Sequence, residues 1–253
     1  MSENQKKIWI TGASSGIGKA VALKFALNGW KVAVSARRKE LLDELAKNPN
    51  ITSFPLDVTN RNQINEVFKN ILDNFGELDI CLFSSGTYEP KDEQYIDPDK
   101  IKNVINVNFL GVIDCVKSVE GYSKDRKSGH ISIVSSIAGY RGLPNSSGYG
   151  PSKAALTNFS ESIYFDFKKF GVRVSVVSPG FIKTPLTDKN EFPMPFLKTP
   201  EYAAEKIYDG LIKKNNFEID FPKELTLTLK FFSILPYKIY FYLVKKLTKF
   251  QKK

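Results

Sequence analysis

The chain has 253 residues, of which 42% are hydrophobic and 25% charged, and this suits one large α/β domain without a second one. Its net charge of +10 raises the question of nucleic-acid binding, but +7 of that charge lies between Phe221 and Lys253, where there are eight lysines and one glutamate. The remaining body, near +3, argues against nucleic acid as a partner. Any electrostatic partner is therefore expected to bind the tail.

Cysteine usage and the first residues of the chain limit the class of protein further. Cys81 and Cys115 lack the spacing of metal ligands, so we expect reduced thiols in the core and no metal site. Met1 to Lys7 contains no apolar leader, which signals neither secretion nor import and predicts a cytoplasmic protein.

A glycine-rich turn follows the first predicted strand. Lys7 to Thr11 has the apolar run of a short buried strand, and a helix is predicted from Ile17 to about Asn28. The turn between them is Gly12-Ala13-Ser14-Ser15-Gly16-Ile17-Gly18. Glycines at this spacing let the backbone approach a pyrophosphate closely, and the N-terminus of the helix faces its negative charge. This unit therefore predicts dinucleotide binding.

The end of the second predicted strand indicates which dinucleotide binds. Lys31 to Ser35 forms this strand, and Ala36-Arg37-Arg38 follows it with no acidic residue. An acid here would bind the ribose hydroxyls, whereas an arginine accommodates the 2′-phosphate of NADP(H). We therefore predict that Arg37, assisted by Ser35 and Arg38, favours NADP(H) over NAD(H) through a charge-assisted fork. The alternative is that these arginines only solvate the start of a helix.

The third and fourth predicted strands end in further cofactor-binding candidates. Ile51 to Leu56 ends at Asp57-Val58, where the carboxylate is placed to meet the adenine amino group. An amphipathic helix follows from Arg61 to Phe75. Leu78 to Phe83 forms the fourth strand, and Ser84-Ser85-Gly86 closes it with a glycine that lets backbone lie against the cofactor.

Asn108 and His130 are isolated polar residues. Asn108 lies in a long helix predicted from Pro98 to about Lys124, either as a satisfied core residue or as a residue that lines the site and holds a water. His130, the lone histidine, begins the fifth predicted strand, which ends at Ser136. A Ser-His-Asp hydrolase would have to use His130, but its place away from the carboxyl end of the strand favours an ordinary strand-end histidine.

Three side chains around the fifth strand indicate proton transfer. Ser136 ends this strand, and Tyr149 and Lys153 open the next helix one turn apart on the same face. All three then converge at the carboxyl edge of the sheet, where open α/β folds bind ligands. An ammonium within roughly 4–6 Å lowers the pKa of a phenol from its ordinary value near ~10, so we expect Tyr149 to give and take a proton.

The remaining segments predict the surroundings of this site. The helix from Tyr149 to about Phe170 is apolar on more than one side, which favours self-association into a homo-oligomer, a dimer or a tetramer. The proline-rich apolar loop from Thr184 to Pro200 is typical of a lid and suggests a hydrophobic substrate. The other predicted elements are a sixth strand from Val172 to Ser178, a helix from Glu201 to Lys214 and a strand from Phe217 to Phe221.

In their order and spacing these segments resemble the short-chain dehydrogenase/reductase family over roughly residues 6 to 221. The matching motifs are TGASSGIG at 11–18, the Asn108 segment, SSIAG at 135–139, YGPSK at 149–153 and PGFIKT at 179–184. The resemblance implies that Tyr149 is the acid/base and that Ser136 binds the substrate oxygen. Lys153 would hold the nicotinamide ribose and lower the pKa of the tyrosine, and Asn108 would keep a relay water in place.

The resemblance also assigns contacts at the nicotinamide end and shows one departure. The candidates in the last motif are Pro179, Gly180, Ile182 and Thr184, of which Ile182 and Thr184 match positions that usually meet the carboxamide. Where the family commonly has NNAG, this chain has Phe83-Ser84-Ser85-Gly86. Phe83 cannot make the side-chain hydrogen bonds of the first Asn, which puts the tethering of the central sheet in question.

The expected fold is one Rossmann-type doubly wound α/β domain over residues 1–221, with a mostly parallel seven-stranded sheet and helices on both faces. Residues 222–253 are expected to form a basic amphipathic extension. Its helix, Tyr237 to Lys253, falls short of the ~20 apolar residues that span a bilayer. Either it lies peripherally on the inner membrane surface, or it packs on its own body or on a neighbouring subunit.

The expected function is an NADP(H)-dependent oxidoreductase that transfers hydride between the nicotinamide and a carbonyl or secondary alcohol, on a hydrophobic or lipid-like substrate. Two alternatives from other classes stay open. One is a non-catalytic NADP(H)-binding scaffold or sensor, against which the presence of all four residues, Asn108, Ser136, Tyr149 and Lys153, argues. The other is a membrane-surface binding module that uses the tail.

Overall fold

Seven strands form a single sheet in the computed structural model, which describes residues 5–89, 96–190 and 192–248. The strands are β1 (Lys7–Thr11), β2 (Lys31–Ser35), β3 (Ile51–Ser53), β4 (Ile80–Phe83), β5 (His130–Val134), β6 (Arg173–Pro179) and β7 (Glu218–Phe221). Their order in the sheet is β3-β2-β1-β4-β5-β6-β7, and every pairing is parallel. The predicted seven-stranded sheet is confirmed.

Helices cover both faces of the sheet, as predicted for a doubly wound fold. They are α1 (Gly16–Leu27), α2 (Lys39–Leu45), α3 (Arg61–Phe75), α4 (Pro98–Ile105), α5 (Gly111–Arg126), α6 (Tyr149–Lys168), α7 (Pro200–Ile212), α8 (Lys223–Ser233) and α9 (Tyr237–Leu247). α1, α2 and α7 enclose one core with the sheet, and α3, α5 and α6 enclose the other. This is the Rossmann-type architecture that the sequence predicts.

Alternation along β1 divides its side chains between the two cores. Ile8 and Ile10 pack on the α1 side, whereas Trp9 packs on the α3 side against Phe68 and Phe83. All three β1 residues are fully buried, which explains why a strand covered on both faces has a continuous apolar run. Cys81 and Cys115 are free thiols in the second core, and burial raises the pKa of both.

The direction of the strand order reverses between β1 and β4, which opens a crevice at their carboxyl ends. Ligands of open α/β sheets bind at such a switch point. The turns after the two strands approach closely, since a Cβ on Gly12 would lie 2.6 Å from the carbonyl oxygen of Ser84. Gly12 also has a φ of +69°, so both its space and its backbone conformation require glycine.

Aromatic packing and one threonine tether the central strands where the family has NNAG. The hydroxyl of Thr11 accepts hydrogen bonds from the backbone N–H groups of Ser84 and Ser85, at 3.2 and 3.3 Å. Phe83 is fully buried and meets the Trp9 ring edge-on, with ring centres 5.6 Å apart. Thr11 and the aromatic packing therefore hold the turn after β4 without the asparagine side chain of the NNAG motif.

The helix predicted from Pro98 to Lys124 is interrupted, which corrects that prediction. α4 ends at Ile105, one π-helical turn spans Asn106–Leu110, and α5 begins at Gly111. A Cβ on Gly111 would lie 2.7 Å from the carbonyl oxygen of Val58, so the backbone passes close to the turn after β3. The other predicted boundaries agree to within a few residues.

The segment after β7 folds back onto the body. Lys223 and Lys230 pair with Asp220 of β7, and Tyr240 and Val244 of α9 are buried. The main clamp is Arg141, whose guanidinium lies over the rings of Tyr237 and Tyr240 and donates hydrogen bonds to the backbone oxygens of Phe232, Ser233 and Leu235. The Tyr240 and Val244 side of α9 is therefore packed within the chain, and Phe250 of the predicted helix lies outside the described residues.

Loss of the Arg141 clamp should destabilise the protein. We expect Arg141→Ala to lower the free energy of unfolding by about 1–3 kcal/mol, because the guanidinium bonds carbonyl oxygens at the end of α8 and stacks on two rings. Urea unfolding measures this change. Arg61→Ala is the matched control, since Arg61 is 63% exposed and forms one ion pair. Equal unfolding curves for the two variants would contradict the clamp.

Within the described ranges, no helix combines the length and the apolar character needed to cross a lipid bilayer.

Candidate active site

A cleft of about 370 Å³ opens at the carboxyl ends of six strands. Turns after β1, β2, β3 and β4 form one wall, and the ends of β5 and β6 with the start of α6 form the other. The predicted site residues that line it are Gly12, Ser14, Ser15, Gly16, Ile17, Gly18, Arg37, Arg38, Asp57, Val58, Ser85, Gly86, Tyr149, Lys153, Pro179 and Thr184. The fold thus gathers sixteen residues from segments that are far apart in the chain.

The glycine-rich turn and the start of α1 suit an anion. Ser15 is the N-cap of α1, but its side chain makes no capping hydrogen bond, and the first turn carries no acidic residue. The N-terminal amide groups of α1 are therefore not neutralised by the helix's own side chains. Gly16 has a φ of +55°, and a Cβ there would lie 3.0 Å from the Thr184 side chain. The turn and the segment after β6 thus meet beside the cleft.

Two arginines follow β2, and the structure distinguishes them. Arg38 donates hydrogen bonds to the hydroxyls of Ser14 and Ser15, at 2.8 and 2.7 Å, and so joins the β2 turn to the glycine-rich turn. Arg37 is exposed and lines the cleft. Ser35 is not a lining residue: its hydroxyl is fully buried and accepts a hydrogen bond from the indole of Trp9 at 2.9 Å. Its hydroxyl is thus engaged in the core, and the assistance predicted for it stays a prediction.

Tyr149, Lys153 and Ser136 come together where α6 begins. Lys153 is 4% exposed, and its ammonium donates to the carbonyl oxygen of Val134 at 2.9 Å and lies 5.6 Å from the centre of the Tyr149 ring. The Ser136 hydroxyl lies close enough to the Tyr149 phenol to act against the rise of its pKa, and it accepts from the backbone N–H of Ala138 at 3.2 Å. The predicted convergence of a phenol, an ammonium and a hydroxyl is therefore present in the fold.

Burial, rather than the ammonium, dominates the charge state of these groups. Desolvation raises the pKa of the Tyr149 phenol to about 12, although the Ser136 hydroxyl acts in the opposite direction. Burial also lowers the pKa of the Lys153 ammonium to about 8. The prediction that Lys153 lowers the tyrosine pKa is thus not met in this structure, since the ammonium bonds Val134 and both groups lose water. At neutral pH the phenol is protonated.

Asn108 is fully buried in the π-helical turn and holds the segment after β4. Its side-chain oxygen accepts from the backbone N–H of Thr87 at 2.7 Å, and its amide nitrogen donates to the Thr87 oxygen at 3.0 Å and to the Ser152 hydroxyl at 3.1 Å. It therefore links the segment after Gly86 to α6. This is the satisfied core role, and the water-holding role implied by the family stays a prediction.

Gly180 and Ile182 lie beside the cleft and not among its lining residues. Gly180 donates its backbone N–H to Phe221 at 2.7 Å, which anchors the segment after β6 to β7. Ile182 is 2% exposed, its side chain packs in the α1 core, and its carbonyl oxygen accepts from the Thr187 hydroxyl. Any contact of Gly180 or Ile182 with a nicotinamide would thus have to involve backbone atoms. These two predicted contacts stay predictions.

Sequence reasoning missed Tyr88 as a neighbour of the site. Its ring meets the Tyr149 ring edge-on, with centres 5.5 Å apart, and its side chain is buried. Its carbonyl oxygen accepts from the ammonium of Lys189 at 3.0 Å, which connects this segment to the proline-rich loop. The only sequence signal was an aromatic residue two positions after Gly86.

These residues fit an anionic dinucleotide. The charged groups among the lining residues are three cations, Arg37, Arg38 and Lys153, and one acid, Asp57. The carboxylate of Asp57 accepts the backbone and hydroxyl hydrogens of Thr59, which fixes its orientation. A cationic cleft that begins at a helix N-terminus and ends at Tyr149 matches the shape and charge of a molecule with a pyrophosphate in its middle.

Comparison with known proteins agrees with this geometry. The family model described as short chain dehydrogenase matches residues 6–193. An uncharacterised oxidoreductase of Myxococcus xanthus is 34% identical over 90% of this chain and 91% of its own. The 3-oxoacyl-(acyl-carrier-protein) reductase FabG of Thermotoga maritima is 35% identical over 71% of this chain and 75% of its own.

Among solved structures, ElxO with NADP bound is 31% identical, has a TM-score of 0.77, and covers 85% of this chain and 97% of its own. The family match extends from β1 into the loop after β6, so it includes the glycine-rich turn, Asn108, Ser136, Tyr149 and Lys153. On this evidence the chain is an oxidoreductase with a nucleotide-binding Rossmann fold, and it belongs to the short chain dehydrogenase family.

Proposed function

We propose that this protein is an NADP(H)-dependent oxidoreductase that transfers hydride between the nicotinamide and a carbonyl or secondary alcohol of a hydrophobic substrate. The observation that carries the proposal is the convergence of Tyr149, Ser136 and Lys153 at the end of a cationic cleft. A protein that only bound the nucleotide would not need a phenol beside a buried ammonium there. The scaffold alternative is accordingly not favoured.

Tyr149 acts as the general acid in the proposed reduction. When bound, NADPH supplies the hydride, and the chain must supply a proton to the carbonyl oxygen. The Tyr149 phenol is protonated at neutral pH, because burial raises its pKa to about 12, and is therefore in the acid form that reduction requires. Ser136, whose hydroxyl lies near the phenol, orients the substrate oxygen.

Lys153 has two roles in the proposed reaction, one toward the nucleotide and one toward the Tyr149 phenol. Its ammonium lies at the base of the cleft, and a Cβ on Gly86 would lie 3.6 Å from it, so the turn after β4 leaves it accessible to a ribose hydroxyl. Once Tyr149 has lost its proton, the same positive charge stabilises the phenolate. Asn108 maintains this arrangement by joining the Thr87 backbone to α6 through Ser152.

Arg37 and Arg38 support a preference for NADP(H) over NAD(H). Both line the cleft after β2, where an acid would otherwise bind the ribose hydroxyls. Arg38 is held by Ser14 and Ser15, while Arg37 is exposed, so Arg37 can move to bind a 2′-phosphate. ElxO, a relative at 31% identity, has NADP bound in its structure, which is in line with this preference.

Equilibrium titrations of NADPH and NADH test the preference. We expect Arg37→Asp to weaken NADPH binding by about 10- to 100-fold, because a charge-assisted contact to phosphate contributes about 1.5–3 kcal/mol, and to leave NADH binding within a few-fold. Lys214→Asp is the control, since it makes the same change in net charge on an exposed residue before β7, at the opposite edge of the sheet. An equal loss of NADPH affinity in Arg37→Asp and Lys214→Asp would refute a specific role for Arg37.

An apolar substrate fits the surroundings of Tyr149. Tyr88 covers one side of the phenol, Pro185 and Leu186 line the cleft, and Phe181 meets Phe192 of the proline-rich loop with ring centres 6.0 Å apart. The name of the Thermotoga maritima relative, a 3-oxoacyl-(acyl-carrier-protein) reductase, suggests a ketone on an acyl chain. NADPH oxidation should therefore be faster with long-chain than with short-chain ketones, and the reverse order would exclude a lipid-like substrate.

Self-association through α6 and a cytoplasmic location remain predictions. Two of the aromatic side chains on α6 already pack within the chain, Phe159 against Phe109 and Tyr164 against Phe217. Phe165 stays 68% exposed on the same helix and supports a contact with a second copy. Analytical ultracentrifugation compares the oligomeric state of the wild type with that of Phe165→Ser.

A further inference from the structure

The outer surface of α8 and α9 exposes many large apolar side chains. Ile234 is 78% exposed, Tyr242 64% and Phe241 60%, values normal for polar residues. We call this surface the tail face; its large apolar members are Leu227, Phe231, Ile234, Tyr237, Ile239, Phe241, Tyr242 and Leu247. A concentration of this kind in about twenty residues is far above the scattered apolar residues of an ordinary surface and marks an interaction site.

The tail face is also basic. Lys238, Lys245 and Lys246 are exposed on α9, and α9 contains no acidic residue. None of the three forms an ion pair with another residue that the structure describes, in contrast to Lys223 and Lys230, which pair with β7. Three further lysines follow in the sequence at 249, 252 and 253, outside the described residues. The surface therefore combines apolar groups with unneutralised positive charge.

The tail face is preformed rather than folded on contact. Tyr240 and Val244 anchor α9 to a small core with Phe232, and the Tyr240 hydroxyl donates to the Gly142 carbonyl oxygen at 2.6 Å. Arg141 fixes the end of α8 from the body side. Since both helices are already ordered, a partner gains affinity without a large ordering cost.

We propose that the tail face binds the surface of an anionic lipid bilayer, a partner that lies outside the proposed reaction. Aromatic residues such as Phe241 and Tyr242 favour the membrane–water interface, and lysines are attracted to anionic headgroups. A second copy of the chain is the less suitable partner, because a two-fold interface would set this basic surface against itself. The helices then lie on the bilayer and do not cross it.

Vesicle flotation with the full chain tests the proposal. The probes are vesicles of phosphatidylcholine alone and of phosphatidylcholine with phosphatidylglycerol. We expect binding to the anionic vesicles only, and we expect the triple variant K238Q/K245Q/K246Q to bind about 100-fold more weakly, since each lysine near an anionic surface contributes about a fivefold factor. The control is K69Q/K102Q/K169Q, which removes three lysines whose side chains are at least 70% exposed, on α3, on α4 and just beyond α6.

Each outcome of this experiment decides the proposal. Equal binding of the two triple variants would overturn it, because net charge and not the tail face would then be responsible. Absence of flotation with anionic vesicles would also overturn it, as would a wild-type dimer that Phe241→Ser converts to a monomer without any lipid binding. Loss of flotation in Phe241→Ser with an unchanged unfolding curve would support the apolar part of the contact.

Discussion

Tyr149→Phe should lower turnover by about 10²- to 10⁴-fold, the usual contribution of a positioned general acid. The variant removes one oxygen from a ring whose edge-on contact with Tyr88 and position at the start of α6 are unchanged. Nucleotide binding should therefore stay within a few-fold of the wild type. Single-turnover oxidation of bound NADPH by a hydrophobic ketone, together with a separate NADPH titration, measures the two effects.

The matched control is Tyr164→Phe, the same substitution about four turns along α6 and against Phe217 instead of the cleft. It should turn over at close to the wild-type rate. If Tyr149→Phe were as active as this control, another group would have to be the acid. If it lost NADPH binding as well, the phenol would be part of the nucleotide site and its catalytic role would not follow.

Lys153→Met should change how stability depends on pH. Burial lowers the pKa of Lys153 in the folded protein to about 8 from 10.5, so between these values the unfolded chain holds a proton that the folded protein has lost. The free energy of unfolding therefore rises with pH in the window between these two values. The cost of burying the charged ammonium is fully present below about pH 8 and is relieved as the folded protein loses the proton. Relative to Lys153→Met, the wild type should gain on the order of 3 kcal/mol between pH 8 and 10.5.

Denaturant unfolding of both proteins at a series of pH values measures this difference. Lys169→Met, on an exposed lysine just beyond α6, controls for the loss of a positive charge. Its stability curve should run parallel to that of the wild type across the window. A Lys153→Met curve that is also parallel would mean that the ammonium keeps enough water or polar contact to avoid the penalty. Lys153→Met should also be nearly inactive if Lys153 holds the ribose.

The parts of the structure that depend on local pattern could be predicted from the sequence. The apolar runs of β1 and β4, the glycine spacing after β1 and the i, i+4 relation of Tyr149 and Lys153 are properties of adjacent residues. Since parallel strands end at one edge of a sheet, the convergence of the turns on one cleft followed from the order of the strands.

The parts that depend on packing could not be predicted. The π-helical turn around Asn108 places its amide on the Thr87 backbone, and no local pattern distinguishes this turn from a regular helix. The tyrosine pKa was predicted in the wrong direction because spacing indicates which charge lies nearby but not how much water both groups lose. Arg141 and Tyr88 act through partners 96 and 61 residues away, which the sequence alone does not pair.

Transfer of deuterium from the nicotinamide C4 position tests the proposed reaction most directly. The wild-type protein is given NADPH deuterated at C4 and the ketone that supports the fastest NADPH oxidation, and the alcohol product is analysed by mass spectrometry and NMR. The proposed mechanism predicts one deuterium on the carbinol carbon and a hydroxyl proton from the solvent pool by way of Tyr149. Bound NADPH that never passes its deuterium to a carbonyl carbon would contradict it.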